Sequence, residues 1–139
     1  MLLYLGFMKT RGKIFRNKRN GTKFGYPTAN IRFSDKSVNG LFTGYTTLLH
    51  TEDKEVEEAF SGKRLPSIIF IGAPETLDEK EHRLESHILD FPLIDLYDSE
   101  IEVEITDRLR DNQKFASVDE LIEQMKKDEA VAREWFARQ

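Results

Sequence analysis

Ile101-Glu102-Val103-Glu104-Ile105-Thr106 alternates apolar and polar side chains without a break. Successive side chains of a β-strand point to opposite faces, so this stretch is a half-buried strand with Ile101, Val103 and Ile105 turned inward. Short runs of the same kind fill most of the chain on either side of it. Residues 2–8 and 12–16 read as strands, and Asn20-Gly21 is a hairpin-turn dipeptide. Leu41 to Leu49 is rich in Thr, Tyr and Phe, and Ser67 to Ile71 is a short apolar run of the kind found in a core. The acidic run from Glu52 to Glu58 reads as a solvated connection with one helical turn. A helix is expected only near the end. Ser117-Val118-Asp119-Glu120 has the capping-box pattern, and Leu121, Ile122, Met125, Ala132, Trp135 and Phe136 then recur on one face. Such a stripe is core packing, with Trp135 as an anchor. The expected fold is mainly β: a small antiparallel domain spanning residues 1–139 and closed by one C-terminal α-helix. Barrel closure would remove its exposed strand edges.

The composition agrees with one ordered domain. The chain has 139 residues, 39% of them hydrophobic and 33% charged. With no cysteine, neither a disulfide framework nor a thiolate metal site can form. The cytoplasm is the expected location. The apolar opening Leu2 to Met8 is too short to span a bilayer and lacks the flanks of a signal peptide, so no membrane partner is expected. The net charge of −4 hides a split. Residues 1–34 hold eight Lys or Arg and no Asp or Glu, leaving 13 basic against 25 acidic side chains elsewhere. Either the opening segment receives an anionic ligand, or it is simply a solvated face.

Two short stretches carry possible chemistry. In Gly25-Tyr26-Pro27-Thr28-Ala29-Asn30, Pro27 holds Tyr26 extended, and Thr28 and Asn30 emerge on the same side of an extended segment. A hydroxyl and an amide oxygen side by side suit a Mg²⁺ ion that keeps water and phosphate oxygens as its other ligands. The plainer alternative is a Pro-Thr turn with Asn30 bonded to local backbone. In Glu85-Ser86-His87-Ile88-Leu89-Asp90-Phe91, alternation puts Glu85, His87 and Leu89 on one face. Glu85 is then either a paired structural charge or a general base for a hydroxyl nucleophile. His87 is read as a core histidine. No His/Cys cluster exists for zinc.

The order of these strings resembles the riboflavin kinase family. Gly12 to Ile31 is similar to the family's nucleotide-binding opening, Gly40-Leu41-Phe42 to a strand start, and Ile71-Gly72 with Thr76 to the element that follows. Glu85 to Phe91, Asp95-Leu96-Tyr97, Leu109-Arg110 and Lys114-Phe115 before Ser117 continue the match as far as Phe136. The resemblance implies a six-stranded, Greek-key-like antiparallel barrel that transfers the γ-phosphoryl of ATP to riboflavin, making FMN. It implies Thr28 and Asn30 at Mg²⁺ and Glu85 as the base. It places Asn17, Gly21, Lys23, Thr28, Ile88, Asp90 and Tyr97 at the nucleotide, and Arg110, Gln113 and Phe115 at the flavin. Riboflavin and ATP are the expected partners of a monomer, without nucleic acid. Asn17, Thr22, Glu75, Asp98 and Gln113 depart from the usual pattern, and Asp98 stands where a glycine is usual. Only 11 residues precede Gly12, so the adenylyltransferase domain fused to many relatives is not expected in this chain. Two alternatives stay open: a flavin- or nucleotide-binding module that has lost catalysis, and a β-barrel that binds nucleic acid through its basic first quarter.

Overall fold

A computed structural model describes residues 2–4, 7–15, 28–73 and 81–139. Among them run seven strands: β1 (Leu2–Tyr4), β2 (Phe7–Lys13), β3 (Ala29–Arg32), β4 (Gly40–His50), β5 (Leu65–Gly72), β6 (Arg83–Ile88) and β7 (Glu100–Arg110). Two helices accompany them, α1 (Lys54–Phe60) and α2 (Val118–Ala137). The strand order is β1-β2-β7-β4-β5-β6-β3, and every neighbouring pair is antiparallel. Phe15 N–H donates to the Asn30 carbonyl at 3.0 Å, which brings the end of β2 against β3. Six strands, β2 to β3 in that order, therefore form a nearly closed barrel, and β1 adds a short hairpin partner to β2.

The alternation that opened the sequence holds in space. Ile101, Val103 and Ile105 are buried in the interior with Ile31, Ile69, Ile71 and Leu84. Glu102 and Glu104 point outward and pair with Arg11 at 2.8 Å and Arg64 at 2.9 Å. Such exposed pairs contribute about 0–1 kcal/mol, against about 1.5–3 kcal/mol for each buried aliphatic side chain. The inward face, not the charge pairs, holds β7 in place. Behind β6 the interior also takes polar atoms: Thr46 Oγ1 lies 2.8 Å from Ser67 Oγ and 2.6 Å from Ser86 Oγ. At Gly44 the chains approach so closely that a Cβ would strike the Glu104 carbonyl of β7.

Some boundaries differ from the expectation. β2 runs through residues 9–11, where a break between two strands was expected. Its inward positions, Met8, Thr10 and Gly12, are weakly apolar, and pairing with β7 from Met8↔Ile105 to Lys13↔Glu100 keeps the strand extended there. The acidic run carries more helix than the one turn expected, seven residues within the connection from β4 to β5. Asp53 caps it by accepting from Glu55 N–H and Val56 N–H, both at 3.1 Å, and buried Val56 anchors it. β6 ends at Ile88, so Leu89 sits in the following turn rather than in the strand.

Helix α2 lies across the outside of the barrel. Its cap is as expected on one side: Ser117 Oγ accepts from Glu120 N–H at 3.2 Å. The return bond goes one residue further back, from Ala116 N–H to Glu120 Oε2 at 3.1 Å. Ala132 is fully buried against Leu41, Ile68 and Leu89, with Phe70, Leu109 and Phe136 at the margin. Trp135 anchors the helix end by donating from Nε1 to Asp107 Oδ2 at 2.6 Å. Two ion pairs add ties. Arg110 donates to both oxygens of buried Asp128, at 2.9 and 2.8 Å. Arg133 reaches both oxygens of exposed Asp90, at 3.1 and 2.9 Å. The Arg133 hydrogen bonds, and then its charge, hold the Asp90 carboxyl below its ordinary value.

The turn before β7 shows what the usual glycine supplies. Asp98 adopts φ 69, a left-handed angle, while its N–H donates to the Ile14 carbonyl at 2.9 Å. Left-handed backbone costs a residue with a Cβ about 1–2 kcal/mol, partly relieved for Asp by local hydrogen bonding.

These contacts make three expectations. Ile101→Ala should lower unfolding free energy by about 2–5 kcal/mol, and Glu102→Ala by less than about 1 kcal/mol, as read from urea midpoints. Asp98→Gly should raise the melting temperature, with a gain of up to about 1 kcal/mol. A depressed carboxylate contributes stability above its unfolded pKa and loses it as pH falls through the folded value. Carboxyl-carbon NMR titration should therefore place Asp90 below 3.8 in the native chain, and Arg133→Met should move it back up.

Candidate active site

The pairing of β3 with β6 sets Asn30 directly opposite Glu85 and Ile31 opposite Leu84. Opposed residues share a face, so Ile31 and Leu84 enter the core while Asn30 and Glu85 stand together on the outer side. Thr28, two residues before Asn30, joins them: its hydroxyl donates to Glu85 Oε1 at 3.1 Å. Residues 57 positions apart in sequence thus meet side chain to side chain.

A fourth side chain, not anticipated from the sequence, completes the cluster. Arg83 is 3% exposed and lies on the same strand face as Glu85. Its Nε donates to Asn30 Oδ1 at 3.2 Å, and its NH2 lies 3.3 Å from Glu85 Oε2. The signal was present as the period-two spacing of Arg83, Glu85 and His87. It named a shared face but not a shared partner.

The plainer readings of Asn30 and Glu85 are both realised, while Pro27 and the turn expected there lie outside the described residues. Asn30 does bond local backbone, from Nδ2 to the Thr28 carbonyl at 3.4 Å. Glu85 is a paired charge. Yet these same bonds gather a hydroxyl, an amide oxygen and a carboxylate on one patch. Among the described residues no group of three or more His, Cys, Asp or Glu side chains could hold a metal by itself. The donor set fits a Mg²⁺ ion nonetheless, because that ion takes few protein oxygens and keeps water and phosphate ligands. The Thr28 hydroxyl spends its hydrogen on Glu85, and its oxygen still carries acceptor lone pairs.

The outer face continues beyond the cluster. Register links Glu85 to Phe70 on β5, Phe70 to Leu41 on β4, and Leu41 to Arg110 on β7. Arg110 is three strand spacings from Glu85, about 14 Å. Its guanidinium is clamped on Asp128 and lies 5.8 Å from the Phe115 ring centroid. Phe115 lines an open cleft of about 360 Å³ with residues of the first turns of α2, Asp119, Glu120, Glu123, Gln124 and Lys127. Gln113 is exposed in the segment joining β7 to α2.

The remaining sequence candidates scatter. Ile88 is buried at the end of β6, opposite Ser67. Asp90, in the turn after it, adopts φ 59 and engages α2 through Arg133. Tyr97 is half-buried against the core, its N–H donating to Asp95 Oδ1 at 2.9 Å. Asn17, Gly21 and Lys23 lie outside the described residues, as do Thr22, Glu75 and Thr76. No helix among the described residues is long and apolar enough to cross a membrane.

Comparison with known proteins gives the arrangement a family. Residues 6–136 match the flavokinase model, described as riboflavin kinase. Over 128 residues the chain is 34% identical to the bifunctional riboflavin kinase/FMN adenylyltransferase of Escherichia coli (strain K12), covering 90% of this chain and 37% of that protein. It is 30% identical over 118 residues to the RNA-binding riboflavin kinase RibR of Bacillus subtilis (strain 168), covering 84% and 46%. The chain spans less than half the length of either relative. The crystal structure of riboflavin kinase from Trypanosoma brucei shares the fold, with a TM-score of 0.63 at 21% identity over 94% of this chain and 80% of that one. The nearly closed barrel, the helix across its outer face and a family match over 131 of the 139 residues agree: this chain belongs to the riboflavin kinase family and covers only the kinase domain of its bifunctional relatives.

Proposed function

We propose that this chain transfers the γ-phosphoryl group of ATP to the 5′-hydroxyl of riboflavin, giving FMN and ADP. The observation that carries the proposal is the convergence of Thr28, Asn30 and Glu85 on one face through the Asn30↔Glu85 register. Glu85 accepts the proton of the 5′-hydroxyl. The oxygen so freed attacks the γ-phosphorus, and the bond to the bridging oxygen of ADP breaks. Phosphoryl transfer asks little covalent chemistry of a protein; it needs positioning, charge neutralisation and one oriented base. Thr28 and Asn30 would hold Mg²⁺, which when bound would neutralise charge on the phosphates. The bond from the Thr28 hydroxyl to Oε1 keeps the Glu85 carboxylate from rotating, so that it meets the incoming hydroxyl in one orientation.

The other assignments follow the outer face. Arg110, Gln113 and Phe115 take the flavin at the β7 end, where the Phe115 cleft opens and Asp128 holds the Arg110 guanidinium in place. Ile88 at the end of β6, with Asp90 and Tyr97 in the segment that follows, serves the nucleotide. Asn17, Gly21 and Lys23 serve its phosphates from the basic opening segment. The enzyme works as a cytoplasmic monomer. The excess of acidic over basic residues after position 34 speaks against a nucleic-acid partner.

Incubation with riboflavin, ATP and Mg²⁺, followed by chromatography, should yield FMN. Tight flavin binding without FMN would replace the kinase reading by a binding module. Glu85→Gln should lower kcat by about 10²–10⁴-fold with flavin affinity nearly unchanged. Thr28→Ala should raise the Mg²⁺ concentration needed for half-maximal rate by about tenfold, the effect of one contact of ~1.4 kcal/mol. An unchanged requirement would remove Thr28 from the metal.

A further inference from the structure

We infer that Arg83 is a positioning residue of the phosphoryl-transfer site, one that orients the Asn30 amide and the Glu85 carboxylate together without touching substrate. The inference rests on the kinase reading for the roles of Asn30 and Glu85, and on geometry for its own step. Each nitrogen of the Arg83 guanidinium faces a protein oxygen. Nε donates to Asn30 Oδ1 at 3.2 Å, NH1 donates to the Glu81 carbonyl at 3.4 Å, and NH2 lies 3.3 Å from Glu85 Oε2. With 3% exposure and these partners, the group is a strut and not a phosphate ligand.

What the strut decides is the orientation of an amide. Asn30 has one oxygen and one NH2 at the end of its side chain, and either can face a given direction. A guanidinium is donor-only, so only the carbonyl oxygen can face Arg83. The bond from Nδ2 to the Thr28 carbonyl holds the other end. The oxygen is thereby fixed as the end of the amide that faces Arg83, and its second lone pair is left to ligate a cation, which an NH2 in its place could not do. The same guanidinium holds Oε2 of Glu85 while Thr28 holds Oε1. Both carboxylate oxygens are tethered, and the plane of the base is set. The planar fork of arginine spans two acceptors at once, which the point charge of lysine cannot do.

A second observation points the same way. Arg83 stands directly opposite Arg32 in the β3–β6 ladder. Like charges at opposed positions destabilise a sheet. Here Arg32 turns out to Glu81 at 3.3 Å and over the Phe15 ring at 5.0 Å, while Arg83 stays under cover. Sheet packing alone would favour an uncharged residue at position 83. A cation kept there against that cost fits a demand made by its neighbours Asn30 and Glu85.

The test measures Mg–ADP affinity by calorimetry, together with kcat and the KM for riboflavin, in the wild type, Arg83→Met and Arg83→Lys. Arg83→Met should weaken Mg–ADP binding by about tenfold, the equivalent of one lost contact. It should lower kcat by about 10²-fold, the effect of a misplaced reacting group, with the riboflavin KM unchanged. Arg83→Lys should recover part of the Mg–ADP affinity and little of kcat. In a Glu85→Gln background, Arg83→Met should no longer lower kcat, although its effect on Mg–ADP binding should persist. Wild-type kcat and wild-type Mg–ADP affinity in Arg83→Met overturn the inference, as does a loss explained wholly by a smaller folded fraction in thermal melts. If Arg83→Met does not fold, Arg83→Lys, which retains the buried charge, decides: full activity there overturns the strut. A wild type that makes no FMN but binds Mg–ADP refutes the kinase reading alone, and the binding data still judge Arg83. A wild type that binds no Mg–ADP overturns both.

Discussion

Much of this protein depends on the register of β3 against β6. Side chains alternate along a strand, so a slip of one residue would send Asn30 inward and Ile31 outward. The slip is opposed by burial. Ile31 and Leu84 face each other and are both fully buried, and moving either into water would forfeit about 1.5–3 kcal/mol. The apolar residues of the two strands therefore fix the position of the polar ones. Thr28, Asn30, Arg83 and Glu85 meet on the outer side because Ile31 and Leu84 must meet on the inner side.

The same separation of faces runs around the barrel. Among the described residues its interior is filled by aliphatic and aromatic side chains and a small cluster of hydrogen-bonded hydroxyls. The exterior is divided between β6, where the polar cluster sits, and the surface under α2. Phe70 and Leu41 lie between them in one cross-strand row, and Arg110 ends it. The two ion pairs of α2 are unequal. Arg110–Asp128 is largely buried and would be costly to break from one side, because the remaining charge would lose its partner. Arg133–Asp90 is exposed, and solvent screens it. The middle of α2 is thus tied to the barrel by the Arg110–Asp128 pair, and its C-terminal half by the burial of Ala132 and the Trp135–Asp107 bond.

The polar cluster itself shows why a bland reading and a functional one need not compete. Asn30 bonds local backbone, and Glu85 is an ion-paired carboxylate, as the conservative readings of those residues had it. Those bonds are also what restrict the side chains to one orientation. A buried ion pair adds little net stability, although removing one partner is costly because the other charge is left without compensation. A cluster of this kind is expected where atoms must be placed, and Arg83 is the member whose value is hardest to explain in any other way.

The sequence by itself determined the strands with clean alternation, the capped C-terminal helix, the barrel class and the family. Each of these depends on residues close together in the chain or on the order of short motifs. It also named Thr28, Asn30 and Glu85 as candidates, each with a plainer alternative that local pattern could not remove. Only the tertiary structure decided that the three share one patch, because strand register is settled by burial across the whole sheet. Arg83 escaped the sequence for the same reason: its partners are Asn30, 53 residues away, and Glu85, whose spacing showed a shared face and nothing more. The continuation of β2 through Lys9 and Arg11 was likewise set by pairing with β7, not by its own composition. Periodicity tells which way a side chain points. What it points at is decided by the neighbouring strand.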